Sequence, residues 1–187
     1  WLHANSVVAT AKGEYLVSLR SLSALVAISE VGGVRWTLSS EVRSDFAFVN
    51  DGQKFYNQHH ATYLAETGHI MLVDNGDSRG SAAGLWSRAA EYALNFSDYT
   101  VELVWEFRPG LYTQAQGSLY ALENQNRIAH FPYVETPHYE MRFHQHIYEV
   151  SPRPSAEVIA NITIPWNGIS VLHCPSRVKP IKSLAGE

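Results

Sequence analysis

Short apolar or alternating runs, separated by Gly, Asn, Asp and Pro, fill most of the chain. Examples are residues 15–19, 25–28, 69–73 and 101–105. Runs of this length between turn residues are typical of β-strands. Residues 82–88 are the one segment that could form a short helix, or else a loop. The pattern therefore predicts an all-β fold.

Similar segments begin at His3, His59 and Gly117, at spacings of 56 and 58 residues. Each is followed by a second pair of predicted strands, and four strands per unit are typical of a β-propeller blade. We therefore interpret residues 1–187 as part of a single β-propeller domain with about three four-stranded blades. A closing strand is expected near 169–181.

Three blades do not close a ring, and an open set leaves sheet faces uncovered. We therefore expect the remaining blades to come from the rest of the polypeptide or from another chain. The first residues, Trp1-Leu2-His3, show no signal peptide and are typical of a processed or truncated chain.

Composition excludes several classes of protein. Hydrophobic residues make up 45% and charged residues 17% of the chain, as in ordered globular proteins. The net charge of −4 gives no support to nucleic-acid binding, which needs a basic face. No apolar run is long enough to predict a membrane span. Cys174 is the only cysteine, so no internal disulfide can form, and we expect a small core residue there.

Two N-x-S/T sequons begin at Asn95 and Asn161. They predict N-glycosylation if the protein is secreted by a eukaryote. We expect an extracellular or periplasmic location.

Several motifs follow one another in order over nearly the whole chain. They include His3-Ala4-Asn5, Ser18-Leu19-Arg20, Gln58-His59-His60, Asp74-Asn75-Gly76-Asp77 with Arg79, and Val104-Trp105-Glu106. This ordered set resembles the propeller of the arylsulfotransferase family and corresponds to the C-terminal half of its domain. The resemblance implies a six-bladed ring.

The resemblance also implies an activity: transfer of a sulfuryl group from an aryl sulfate donor to a phenolic acceptor, through a transiently sulfated histidine and without a cofactor. By motif, His3, His59 and Arg79 are similar to residues that hold the sulfate group. His130 is similar to the nucleophile, although the segment Asn126–Ala129 departs from the small residues that precede it in the family.

These residue types suit the chemistry. A planar guanidinium at Arg79 can hold two sulfate oxygens, and imidazoles at His3 and His59 can donate to the third oxygen and to the leaving phenolate. A neutral imidazole at His130 is a competent nucleophile near neutral pH. Neighbouring strand residues point to opposite faces, so His60 is expected to pack between blades or to meet solvent.

Each candidate also has a structural interpretation. His3 and His59 can be hydrogen-bonded histidines of an inner strand, and Arg79 can be a loop arginine paired with Asp74 or Asp77. His130 can be an ordinary inward-facing residue, because Leu72 occupies the same register in the preceding unit.

Four further positions have interpretations of their own. His144 and His146 have the i, i+2 spacing of a metal pair, but no third ligand is evident, so we expect no metal site. Trp36 and Trp105 occupy matched places in two units and are expected to pack in the core.

Two other functions stay open beside the enzyme. The first is a non-catalytic propeller of the same family, serving as a binding or structural module. The second is an unrelated propeller enzyme that uses the same funnel for another anionic substrate.

Overall fold

The computed structural model describes residues 2–80, 84–135, 143–152 and 155–165. Cys174 and the closing strand predicted near 169–181 lie outside the described residues. Within these ranges the chain forms thirteen β-strands, two short 3₁₀ turns at Arg20–Leu22 and Asp51–Gln53, and no α-helix. The prediction of an all-β fold is confirmed.

The first sheet is an antiparallel meander in the order β1-β2-β3-β4. Its strands are β1 (Ala4–Ala9), β2 (Glu14–Leu19), β3 (Ala24–Ser29) and β4 (Val34–Ser39). Buried positions alternate with partly buried ones along β2 and β3, which explains why these runs pair as strands with one face in the core.

The second sheet has five strands, in the order β5-β9-β8-β7-β6. They are β5 (Ala47–Phe48), β6 (His59–Tyr63), β7 (Ile70–Asp74), β8 (Arg88–Asn95) and β9 (Thr100–Phe107). The strand β5 was not predicted. It runs parallel to β9 and covers part of the outer edge of the sheet. The Ala47 N–H donates to the carbonyl of Tyr99, just before β9, at 2.8 Å.

The segment that could have been a helix is irregular where it is described. Residues 84–87 have no regular structure, and Arg88 is the first residue of β8, because its backbone pairs with Asp74 of β7. Pairing with the neighbouring strand therefore decides the conformation at this position.

The third sheet is again a four-stranded antiparallel meander, in the order β10-β11-β12-β13. Its strands are β10 (Ser118–Ala121), β11 (Arg127–Glu135), β12 (Phe143–Val150) and β13 (Val158–Pro165). Three separate, mostly antiparallel sheets that each start from an inner strand make the fold a partial β-propeller.

The first strands of the three sheets lie side by side. The Asn5 side-chain amide of β1 donates to the Gln58 carbonyl, just before β6, at 2.7 Å. On the other side of β6, the Leu119 N–H of β10 donates to His60 Nδ1 at 3.3 Å. This arrangement brings the starts of the sheets together, as expected for strands that surround a propeller axis.

A hydrophobic layer fills each contact between neighbouring sheets. Trp36 lies in the layer between the first and second sheets and is 8% exposed; Trp105 lies in the layer between the second and third sheets and is 5% exposed. The prediction that both tryptophans pack in the core is confirmed. Among the described residues, no helix has the length and apolar character required to cross a membrane.

Candidate functional site

The candidate site lies at the end of the sheets where β1 and β6 begin. The 3₁₀ turn after β2, the loop after β7 and the segment before β10 reach the same end. We call this group the His59 site, and it consists of His3, Arg20, His59, Asn75, Asp77, Tyr112 and Gln116.

His3 and His59 are in contact. Their ring centroids are 5.8 Å apart and the rings are nearly perpendicular, at 87°. His3 precedes β1, is exposed and has a positive φ of 47°, whereas His59 opens β6 and is buried. The structure thus joins two of the residues that the sequence assigned to sulfate binding.

Hydrogen bonds fix the orientation of the His59 ring and its tautomer. The Gln116 backbone N–H donates to Nε2 at 3.3 Å, so Nε2 carries a lone pair. Nδ1 therefore carries the proton and donates to Asn75 Oδ1 at 2.8 Å. The Asn75 amide nitrogen donates to the Thr113 and Gln116 carbonyls at 2.9 and 3.0 Å, which holds its oxygen toward His59.

Burial lowers the pKa of His59 from 6.5 to about 4, and the positive charge of Arg20 acts in the same direction. The hydrogen bond to Asn75 opposes this shift but does not cancel it. His59 is therefore neutral at physiological pH, and its acceptor nitrogen Nε2 is uncharged.

Arg20 joins the loops of different sheets at this site. Its Nη2 forms an ion pair with Asp77 Oδ2, in the loop after β7, and donates to the Gln114 carbonyl at 3.2 Å. The Tyr112 hydroxyl donates to the other Asp77 oxygen at 3.1 Å. Burial raises the pKa of Asp77 above its usual value, although Arg20 opposes the shift.

Arg79 is held away from the two histidines. Its Nη2 forms an ion pair with Asp74, and its Nη1 donates to the Lys54 carbonyl at 3.3 Å. The guanidinium lies 3.7 Å from the centre of the Trp86 ring and 5.2 Å from that of Tyr56. These contacts are those of the loop arginine paired with Asp74 that the sequence left as an alternative.

Asp74 is the centre of a buried charged cluster behind Arg79. Its side chain is fully buried and also accepts from Arg88 Nε, at 2.8 Å, and from the Tyr56 N–H, at 2.9 Å. Arg88, itself fully buried, donates further to Glu106 at 2.8 Å. This cluster connects β7, β8 and β9 and satisfies charges that would otherwise be costly to bury.

His60 packs between the second and third sheets, one of the two positions expected for it. Its Nδ1 accepts the Leu119 N–H, and its ring lies 4.7 Å from that of Tyr120. Burial lowers the pKa of His60 to about 4. Only one histidine of the pair therefore belongs to the His59 site.

His130 lies on β11, in the third sheet. Its neighbours Ala129 and Phe131 pack in the hydrophobic layer with Val73 of the second sheet. Because side chains alternate along a strand, His130 points to the opposite face, away from the second sheet. There Nε2 lies 3.0 Å from Gln145 Oε1, and burial lowers the pKa of His130.

The structure thus brings together two of the four predicted site residues. Within the described ranges, neither Arg79 nor His130 has a hydrogen bond, ion pair or ring contact with His3 or His59. The roles assigned to all four residues stay predictions.

The remaining sequence candidates have simple surroundings. The His144 and His146 rings are stacked 6.3 Å apart, and no group of three metal-ligating side chains occurs among the described residues. Asn95 is exposed at the end of β8, and Asn161 is exposed on the edge strand β13. Glycosylation at both stays a prediction.

Sequence reasoning assigned no sulfate-binding or catalytic role to Asn75, Arg20, Asp77 or Tyr112, and it considered Asp77 only as a possible ion-pair partner of Arg79. Asn75 and Asp77 belong to the Asp-Asn-Gly-Asp motif and Arg20 belongs to the Ser-Leu-Arg motif. Both motifs are part of the resemblance to the family, which is the signal that could have identified these three residues. Arg20 and Asp77 are 57 positions apart, and only the packing of neighbouring sheets brings them into contact.

Comparisons with known proteins add the family. The arylsulfotransferase (ASST) family model matches residues 1–166. No curated protein matches the chain significantly. Among solved structures, the chain is similar to a protein of unknown function from Bacteroides caccae, with 11% identity and a TM-score of 0.39. The match covers 85% of this chain and 60% of that one, so the chain spans less than two thirds of that protein's length.

Proposed function

Since the chain belongs to the arylsulfotransferase family, we propose that the protein transfers a sulfuryl group from an aryl sulfate to a phenol at the His59 site. The observation that carries this proposal is the contact between His3 and His59. One ring is exposed, and the other is buried, neutral and fixed in one tautomer. Fixed donors and acceptors of this kind stabilise charge that develops during group transfer.

The reaction proceeds in two displacements. In the first, the lone pair of a neutral histidine attacks the sulfur of the aryl sulfate, the bond from sulfur to the aryl oxygen breaks, and the phenolate leaves with its electron pair. Protonation of the phenolate by His3 or by water completes this step. In the second, a phenol oxygen attacks the sulfur and gives its proton to His3 or to water, while the N–S bond breaks and the neutral imidazole is restored.

Two histidines are candidates for the nucleophile. Sequence motifs favour His130, whose Nε2 contacts Gln145 so that Nδ1 is left as the acceptor nitrogen. Geometry favours His59, because its ring contacts the ring of His3 and its Nε2 is engaged only by the long bond from Gln116. A substrate oxygen can replace His59 as the acceptor of that N–H.

The test uses the complete protein, a chromogenic aryl sulfate and a phenolic acceptor. Replacing the nucleophile by Ala abolishes transfer, and His3→Ala lowers the rate by about 10²-fold through loss of the proton donor. His69→Gln is the matched control, because His69 pairs with Glu91 at the opposite end of the sheets. Transfer that is equal in His59→Ala, His130→Ala and the control would refute a sulfo-histidine at either position.

Trapping the intermediate separates the two nucleophiles. The protein is mixed with donor alone, quenched with alkali and digested. Mass spectrometry then shows whether the added sulfuryl group is on the peptide that contains residue 59 or on the one that contains residue 130. Turnover without a modified peptide on either would refute the covalent intermediate.

A non-catalytic binding module is the second candidate function. Both ring nitrogens of His59 have partners, and Arg79 is held by Asp74 and Trp86. Such a site supports anion binding without turnover. Anion binding by the complete protein, with no transfer to any phenol tested, is the result that favours it. Comparing sulfate, phosphate and carboxylate ligands would identify a different anionic substrate.

The described sheets leave room for further blades. Among the described residues, one hydrophobic layer joins the first sheet to the second and another joins the second to the third, so the first and third sheets each have one face without a neighbouring sheet. An uncovered apolar face is costly in water. We propose that the blades that cover these faces come from the rest of the polypeptide or from another chain.

A further inference from the structure

Arg20 has the features of an anion-binding residue, although no motif assigned it that role. It follows β2 in the 3₁₀ turn Arg20–Leu22, and its backbone N–H donates to the His3 carbonyl at 3.0 Å. The residue is therefore attached directly to the segment that presents His3. Its charge also acts on His59, since it contributes to the lowered pKa of that ring.

The guanidinium of Arg20 is only partly used by the protein. Nη2 contacts Asp77 and the Gln114 carbonyl, whereas Nε is buried and has no hydrogen-bond partner. Nη1 has no partner among the described residues. Nη1 is not buried, so, unlike Nε, it can donate to an oxygen-bearing ligand that enters from solvent, and a hydrogen bond from a charged donor is stronger than one between neutral groups.

Asp77 holds Arg20 in place from one side. The carboxylate accepts from Nη2 on one oxygen and from the Tyr112 hydroxyl on the other, so both of its oxygens are occupied. The N–H groups of Nη1 are left for a ligand. The side chain of Arg20 is 21% exposed, which gives an ion from solvent access to it.

Arg79 is less suited to the same task. Its Nε is buried without a hydrogen-bond partner, as in Arg20, but both of its terminal nitrogens already donate, to Asp74 and to the Lys54 carbonyl, and Trp86 covers one face of the guanidinium. Arg20 is the arginine whose backbone and charge are both coupled to the histidine pair.

From these contacts we propose that Arg20 is the cationic residue that holds the sulfate group of the substrate beside His3 and His59. The ligand class is a tetrahedral oxyanion with a free ester arm, such as an aryl sulfate. Nη1 donates to its oxygens, while Asp77 keeps the guanidinium oriented. This inference rests on the proposed function for the identity of the ester, but anion binding itself does not require turnover.

The test measures binding of inorganic sulfate to the complete protein by calorimetry. Arg20→Gln is expected to weaken binding by about 10- to 100-fold, the effect of losing a charge-assisted pair of hydrogen bonds. Arg20→Lys keeps the charge without the planar guanidinium, and its affinity for sulfate is expected to lie between those of the wild type and Arg20→Gln. Arg43→Gln, at an exposed loop position, is the matched control and binds as the wild type does.

A second variant separates ligand binding from a structural role. Asp77→Asn removes the negative charge nearest the proposed ligand and keeps an oxygen for Arg20, so sulfate binds at least as tightly as in the wild type. If the ion pair served only to connect the loops, Arg20→Gln and Asp77→Asn would weaken binding alike, and the proposal would be overturned. Wild-type affinity in Arg20→Gln, or no sulfate binding by the wild type, would overturn it as well.

A spectroscopic readout does not depend on activity. Arg20→Gln removes the positive charge and is expected to raise the pKa of His59, whereas Arg20→Lys leaves that pKa nearly unchanged. An NMR titration of the His59 ring measures both. Failure of the two proposals is distinguishable. Sulfate binding that depends on Arg20 without transfer refutes only the enzymatic function, and transfer that is unaffected by Arg20→Gln refutes only the role of Arg20.

Discussion

The buried carboxylate of Asp74 allows a sharp test of the packing behind the His59 site. It is fully buried and accepts from Arg88 Nε, Arg79 Nη2 and the Tyr56 N–H. Asp74→Asn has nearly the same size and keeps one oxygen acceptor, but it removes the negative charge that compensates two arginines. The substitution therefore tests electrostatics and leaves side-chain volume almost unchanged.

The expected loss in the free energy of unfolding follows from the contacts that remain. Removing one partner of a buried ion pair costs about 3–5 kcal/mol. Arg88 keeps its bond to Glu106 and its bonds to the Gln53 and Lys54 carbonyls at 3.0 and 2.7 Å. We therefore expect the lower end of that range, about 3 kcal/mol.

Urea denaturation of the complete protein, followed by tryptophan fluorescence, measures this change. Asp98→Asn is the control, because Asp98 is exposed in the turn after β8 and accepts only from Asn95. Its effect should stay within about 0.5 kcal/mol. If Asp74→Asn is no more destabilising than Asp98→Asn, the buried charges contribute nothing to stability, and our reasoning about Arg79 as a structural residue is refuted.

Two further predictions concern stability. Gly76 has φ +84°, and an added Cβ would lie 2.4 Å from the Trp86 carbonyl oxygen. Gly76→Ala should therefore cost about 2 kcal/mol more than Gly32→Ala, where φ is +92° but the space is open. Equal unfolding free energies would show that the loop shifts freely. His59 and His60 have pKa values of about 4 in the folded protein and about 6.5 when unfolded, so each destabilises the fold as pH falls. Above pH 6.5 both histidines are neutral in either state and the free energy of unfolding is unaffected. Between pH 6.5 and pH 4 the free energy of unfolding decreases, by up to about 3 kcal/mol for each histidine. Urea denaturation between pH 7.5 and 5 measures this decrease, and stability that is constant over that range would contradict it.

Much of the fold could be predicted from the chain because strands leave a local signature. Alternation along β2 and β3 and the turn residues between them indicated sheets, and the matched positions of Trp36 and Trp105 indicated core packing. The two-residue strand β5 was missed, since Ala47 and Phe48 carry no pattern of their own. Their pairing with β9 depends on an edge that only the assembled sheet provides.

The candidate site was predictable in part for the same reason. The motif around His59 and the alternation of strand residues distinguished it from His60, which the structure places on Tyr120. The orientation of His130 depended on which face of β11 meets the second sheet. Alternation determines that neighbouring residues of a strand point to opposite faces, but it does not determine which of them faces the adjacent sheet. The packing of Ala129 and Phe131 against the second sheet decided the orientation of His130.

The sequence by itself determined the all-β character, the strand runs and the family, because all three depend on residue type and local order. The tertiary structure alone decided that Arg20 meets Asp77, that Asn75 fixes the His59 ring and that Asp74 engages Arg79. The contact between Arg20 and Asp77 joins loops of neighbouring sheets, and the directions of the Asn75 and Asp74 side chains follow from the packing around them. The spacing of residues along the chain does not determine which partners these side chains have.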